Sequence, residues 1–195
     1  MANLPITRSD AIELLRSMNQ QVSDMNHYLE TEAIMKALAK RFGEDVEYWG
    51  MIGLLHDVDW ALTRDDLKEH CIKTVEILKQ KGFDDNFIQI VQSHGYGYDE
   101  IPALKNKERV NKIEHALIAA ETLTGIMYAY ALVRSKKISD MSTKGLKKTF
   151  KDKRFAENCN RELVREIEKT GLTLEEFFEL SINALKEIKE GIGLE

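Results

Sequence analysis

Residues 116–133, ALIAAETLTGIMYAYALV, restrict the fold of this chain more than any other stretch. A helix so apolar needs apolar surroundings on nearly every face, so it either spans a membrane or forms the centre of a bundle. Glu121 in its middle, with the threonines and small residues around it, favours the bundle. Other helices must then enclose it. Only two prolines, Pro5 and Pro102, occur in 195 residues, so most of the chain is free to be helical. No strand-like alternation and no internal repeat appears, and the fold class is read as all-α.

The surrounding helices carry their own signals. Thr7 with Asp10 marks the start of a first helix bearing Ile12, Leu14 and Leu15. A second is predicted over 24–42, with Leu29, Ala33, Ile34, Ala37 and Leu38 inward and Gly43 as its stop. Asp45 can cap a third, whose Trp49, Ile52, Leu54 and Leu55 run into His56-Asp57. A fourth is expected over 66–80 and a short fifth over 85–93, followed by the loop HGYGYDEIP. The sixth, from near 107 to 133, contains the apolar stretch. Residues 134–153 read as a basic, irregular connector, and two helices follow near 160–170 and 174–191, the last opened by a Thr173/Glu176 capping box. The expectation is one domain, with a core over about 20–133 and an accessory helical layer over about 134–195.

Composition narrows the function classes. Hydrophobic content of 43% with 31% charged residues is that of a globular chain. A net charge of −5, with scattered basic residues, argues against bulk nucleic-acid binding, which needs a basic face. Cys71 and Cys159 lie far apart without metal-type spacing, so no disulfide framework is expected. The N-terminal MANLPITRSD lacks a signal-peptide layout, and a cytoplasmic, non-membrane location is the plain reading.

The chemistry concentrates in the histidines. His56-Asp57 at a helix end offers one nitrogen and one oxygen ligand side by side. The pair alone also fits an ordinary helix terminus, where histidine favours exposed carbonyls. His27 falls in line with Thr31, Ile34 and Leu38, His70 between Leu67 and Thr74, and His94 after Phe87 and Val91. Each therefore faces inward. One buried histidine is usually a satisfied core residue. Three helices each aiming one at the core ask for shared partners, and a metal centre supplies them. Glu121, the only ionisable residue between His115 and Arg134, is kept charged if a cation lies near.

The order His27, His56-Asp57, then an acid in AAETLTG resembles the signature of the HD superfamily of metal-dependent phosphohydrolases. GLLHDVD, SHG, LIAAETLTG, LVRSKK and KKTFKDKRFA together are similar to a bacterial branch of predicted HD-superfamily hydrolases. The resemblance implies an α-helical bundle with His27, His56, Asp57 and Glu121 at the four metal-ligand positions. His70 and His94 fall where members with two metals place further ligands, Asp57 then bridging the ions. With one ion they would instead contact phosphate or serve as general acid. Two departures stand out: the last ligand is Glu121 rather than Asp, and HDVDW replaces the frequent HDIGK.

What the resemblance implies is hydrolysis of a phosphate ester, as a phosphomonoesterase or phosphodiesterase, with a nucleotide among the candidate substrates. The expected cofactor is one or two divalent transition-metal ions, Mn, Fe, Ni, Co or Zn, lowering the pKa of a water and polarising a phosphoryl oxygen. The expected partner is a small phosphorylated substrate. Lys147, Lys148, Lys151, Lys153, Arg154 and Arg134 are candidate phosphate contacts, though a charge run also suits a solvated face. Tyr96 and Tyr98 can form a lid, and Asp59 can orient a ligand or cap a helix. His115 is six residues from Glu121, on the wrong side of the helix to share an ion with it. The competing reading is a non-catalytic HD-type sensor module that binds a metal or a nucleotide. A purely structural helical adaptor is the third.

Overall fold

The computed structural model describes residues 4–195. The first three residues, part of the N-terminal stretch read above, lie outside the described residues. Among the described residues there is no β-strand, and the helices are α1 (Arg8–Ser17), α2 (Val22–Phe42), α3 (Val46–Leu55), α4 (Trp60–Thr63), α5 (Lys73–Gln80), α6 (Asp85–Gln92), α7 (Lys112–Leu132), α8 (Thr143–Lys151), α9 (Arg161–Arg165) and α10 (Leu174–Ile188). Several begin where side-chain chemistry directs. Thr7 and Asp10 form a reciprocal capping box, as do Thr173 and Glu176. Asp45 accepts from the amides of Glu47 and Tyr48, and Gly43 ends α2 at φ 72°.

The tightest packing in the molecule is α2 against α3. It depends on α3 glycines. A Cβ on Gly53 would sit 2.9 Å from the Thr31 carbonyl oxygen, and one on Gly50 only 2.4 Å from the Lys36 side chain. With no side chain in the way the two helices close together, which sets His56, one turn beyond Gly53, against His27. The apolar segment becomes α7, wrapped by α2, α9 and the 3-10 turn Glu166–Thr170, with α8 packed on it as well. Leu117, Ile118, Ala119, Ala120, Leu123, Ile126 and Met127 are fully buried. No helix among the described residues is long and apolar enough to cross a membrane.

Three expectations need correction. The predicted fourth helix is broken: Leu67–Glu69 is a 3-10 turn, Cys71 takes φ +63°, and α5 starts at Lys73. The Gln92 side chain binds the Cys71 carbonyl (2.8 Å) and the Asp59 carboxylate takes the Thr74 amide (3.0 Å). These tertiary bonds override the local helical spacing. The apolar helix starts at Lys112, not near 107, where Asn111 and the buried Glu114 form its capping box. The connector holds α8, capped by Ser142, with Leu146 and Phe150 buried.

Candidate metal centre

Four histidines and one aspartate meet where α2, α3, the His70 turn and the end of α6 converge. His27 Nε2 lies 3.0 Å from His56 Nε2, and His70 Nε2 lies 3.2 Å from His94 Nε2. Asp57 stands between the pairs. Its Oδ2 is 3.6 Å from His56 Nε2 and 4.0 Å from His27 Nε2. Its Oδ1 is 3.0 Å from His94 Nε2 and 3.5 Å from His70 Nε2. One carboxylate thus faces two nitrogen pairs with its two oxygens.

The outer face of each ring decides which nitrogen carries the proton. His56 Nδ1 donates to the Gly53 carbonyl (2.8 Å) and His94 Nδ1 to the Val91 carbonyl (2.6 Å), each three residues back at the end of its helix. His70 Nδ1 donates to Asp59 Oδ1 (3.0 Å). Thr124 gives its own proton to the Glu121 carbonyl (2.6 Å), which leaves its oxygen to accept from His27 Nδ1 (2.8 Å). When neutral, each of the four rings is therefore held in the tautomer that turns an Nε2 lone pair inward. The helix-terminus role of His56 and its capacity as a ligand are the same arrangement seen from its two ring nitrogens.

Such a convergence of lone pairs and carboxylate oxygens is unfavourable without a positive charge among them. Asp57 Oδ1 is buried and makes no directed hydrogen bond despite the nearby rings. Burial drives His56 down to about 3, with Asp57 opposing that shift. Burial also works against charge on His70, but Asp59, Cys71 and Asp57 hold it up at about 10. His94 is raised in the same way by Cys71 and Asp57, again against burial. For Asp57, burial is outweighed by His56, His94 and His70, and its carboxyl lies well below the usual range. Without a cation, these shifts favour a second proton on the His70 and His94 rings. Two donor clusters fit an ion: His27 with His56 and Asp57, and His70 with Cys71 and His94.

The polar supports extend outward. Arg109 binds the Ser93 and Tyr96 carbonyls (2.9 and 2.8 Å) and Glu166 (2.9 Å), fixing the turn that carries His94. His115 closes this clamp by donating to Glu166 (2.7 Å), away from the centre. Arg161 gathers the carbonyls of Asp152, Phe155, Ala156 and Cys159, which shapes the loop bearing Asn158. A cavity of about 780 Å³ opens over the centre. Asp57, His70 and His94 form its floor, Trp60, Leu67, Tyr98 and Ile101 its apolar walls, and Glu100, Glu121 and Asn158 complete it.

Glu121 lines this cavity but belongs to neither donor cluster, and its carboxylate accepts from Thr122 (2.6 Å). Burial raises its pKa, with His27 and His94 opposing. Among the described residues, no lysine or arginine lines the cavity. Lys147 pairs with Glu175 at 2.7 Å and lies with Lys151 in a separate groove beside Phe150 and Arg165. Lys148 is exposed in the last turn of α8. Arg134 is exposed beyond α7, over the Tyr130 ring. One participant escaped the sequence reading. Cys71 carried no metal-type spacing. Asp59 was left between two roles and now stands between His70 and Thr74.

A family model described as HD domain matches residues 25–141, more than half of the chain and the span from α2 to just beyond α7. The chain belongs to the HD domain family. HD domains bind divalent metals and are generally metal-dependent hydrolases, and the convergent imidazoles lie inside the matched span. No curated protein and no solved structure matches the chain.

Proposed function

We propose that this HD domain protein is a hydrolase of phosphate esters that works with two divalent transition-metal ions. The observation that carries the reading is the four inward Nε2 atoms arranged around the two oxygens of Asp57. In this reading His27, His56 and Asp57 hold one ion, while His70, His94 and Asp57 hold the other. Glu121, on the cavity wall and now bonded to Thr122, would be a further ligand to the first ion. Bound ions supply Lewis acidity and an acidic water for attack at phosphorus.

The chain itself selects and orients. With acidic residues and no basic ones around the cavity, only the ions balance substrate charge. That favours a single phosphoryl group over a di- or triphosphate. Trp60 and Tyr98 offer aromatic faces to the rest of the substrate, and Asn158 offers an amide, a lining suited to a small organic monoester, including a nucleoside monophosphate. The lysines of α8 are outside this reading.

The test is elemental analysis of the full chain beside its His56→Ala variant, with p-nitrophenyl phosphate hydrolysis measured on both. About two transition-metal ions per chain, reduced in the variant together with turnover, is the expected result. Metal bound without turnover of any phosphoester would shift the reading to the non-catalytic sensor module. A chain that takes up no Mn, Co, Ni or Zn would end it.

A further inference from the structure

We propose that Cys71 is a thiolate ligand, so that the His70/His94 half of the centre takes a thiophilic ion while the His27/His56 half does not. The inference rests on the reading of the centre above and gives the second half its metal class. Cys71 Sγ lies 3.4 Å from His94 Nε2, and the ligating atoms of His70, Cys71 and His94 all fall within 4.8 Å of one another. Tetrahedral zinc, with bonds of about 2.3 Å to sulfur and about 2.0–2.1 Å to nitrogen, sets its donors about 3.5 Å apart for N and S and about 3.3 Å for N and N. The His70–His94 separation is 3.2 Å. Asp57 Oδ1, buried, lies 3.0 Å from His94 Nε2 and 3.5 Å from His70 Nε2. Two imidazoles and one thiol cluster there, with the Asp57 carboxylate oxygen beside both rings as a fourth donor.

Packing alone does not account for the cysteine. Its side chain does touch a small apolar cluster with Tyr96, Ile101 and Leu104, as a buried small hydrophobe would. Yet the residue is held in the left-handed region at φ +63°, where glycine or asparagine is the inexpensive choice. Gly95 keeps room for the sulfur, since a Cβ there would sit 2.7 Å from Cys71 Sγ. On binding, the thiol proton leaves to solvent as the metal–sulfur bond forms. The ligand softness favours Zn, Co or Fe over Mg, Ca and Mn in this half, whereas the other half offers only nitrogen and oxygen.

Cobalt(II) reads this directly. The metal-free full chain is titrated with cobalt, as wild type, Cys71→Ser and Cys159→Ser. The expected result is a thiolate-to-cobalt charge-transfer band in the near ultraviolet for wild type and Cys159→Ser, absent in Cys71→Ser. Zinc retention in Cys71→Ser should also fall by at least the roughly 10- to 100-fold that loss of a supporting partner costs. The wild-type spectrum needs no variant to fold. Cobalt bound by wild type without the band, or a band that survives in Cys71→Ser, overturns the thiolate and leaves the centre standing. Failure of wild type to bind cobalt at all overturns both.

Discussion

His27 and His56 stand on α2 and at the end of α3, two continuous helices drawn together at Gly53. His70, Cys71 and His94 stand on turns, where the backbone is steered by Asp59, Gln92 and Arg109. Both pairs present Nε2 atoms to Asp57 at similar distances. They reach that geometry by different means. In the first half, apolar packing supplies the accuracy, and one hydroxyl, Thr124, fixes the ring of His27. In the second, polar groups hold both the ring and the chain that bears it, so one lost partner disturbs more. Helical packing tolerates the loss of a single contact better than a turn tolerates the loss of its anchor.

Asp57 is the one residue common to both halves, and Asp57→Ala should collapse the distinction. The expected outcome is loss of both ions and a fall in kcat/KM on the order of 10⁴-fold, as for groups that act as a unit. Helical content by circular dichroism should stay unchanged, because the carboxylate holds no helix together. Substantial activity in this variant would refute the mechanism, and retention of one ion would show that the halves are independent.

The two outer supports sharpen the comparison. Asp59→Asn keeps an oxygen for the Thr74 amide but removes the charge that faces His70. Cation retention in the second half should weaken about 100-fold, at the top of the range for such partners. Thr124→Val removes a neutral hydroxyl from His27, and first-half retention should weaken about 10-fold. Competition against a chelator measures both. The reverse order would mean that the helical half, not the turn half, depends on its polar support.

The same difference explains what could be read from the chain before its structure. The first half was legible because His27 and His56 follow the helical period of α2 and α3, and because Asp45 and Gly43 mark helix ends by local chemistry. The second half was half legible. His70 and His94 were assigned inward from their spacing, but the spacing of Leu67, Cys71, Thr74 and Leu78 is that of an unbroken helix. The break at Cys71 comes from Gln92 and Asp59, which are distant in sequence, and no Gly, Pro or Asn announces it. Cys71 was missed for that reason. In α8 the basic run hid an i, i+4 pair, Leu146 and Phe150, that buries one face of a short helix. Glu121 was set among the ligands from its isolation in an apolar helix. That isolation places it on the cavity wall, and its hydrogen bond to Thr122 was not something the helical period could reveal.

Glu30 should leave the centre untouched, and it tests whether burial of a polar group on α2 is itself the cause of metal binding. It lies one turn from His27 and is buried, with Oε1 unpartnered, beside a small cavity of about 110 Å³ lined also by Asn26, Thr124 and Tyr128. Burial pushes its pKa up to about 8 from 4.5. Between those values the folded chain keeps a proton that the unfolded chain has released, so this group's contribution to stability falls as pH rises from about 4.5 to about 8 and is level above that. Glu30→Gln removes the penalty while keeping the volume. Urea unfolding should show the variant equal to wild type near pH 4 and more stable above it. The gap should widen through pH 8 to a few kcal/mol at most, at about 1.4 kcal/mol per unit. Metal content should be the same in both. A gap that does not change with pH would mean that Glu30 is already charged in the folded chain. A loss of metal in the variant would place Glu30 within the reach of the His27 half, and that half would no longer rest on packing alone.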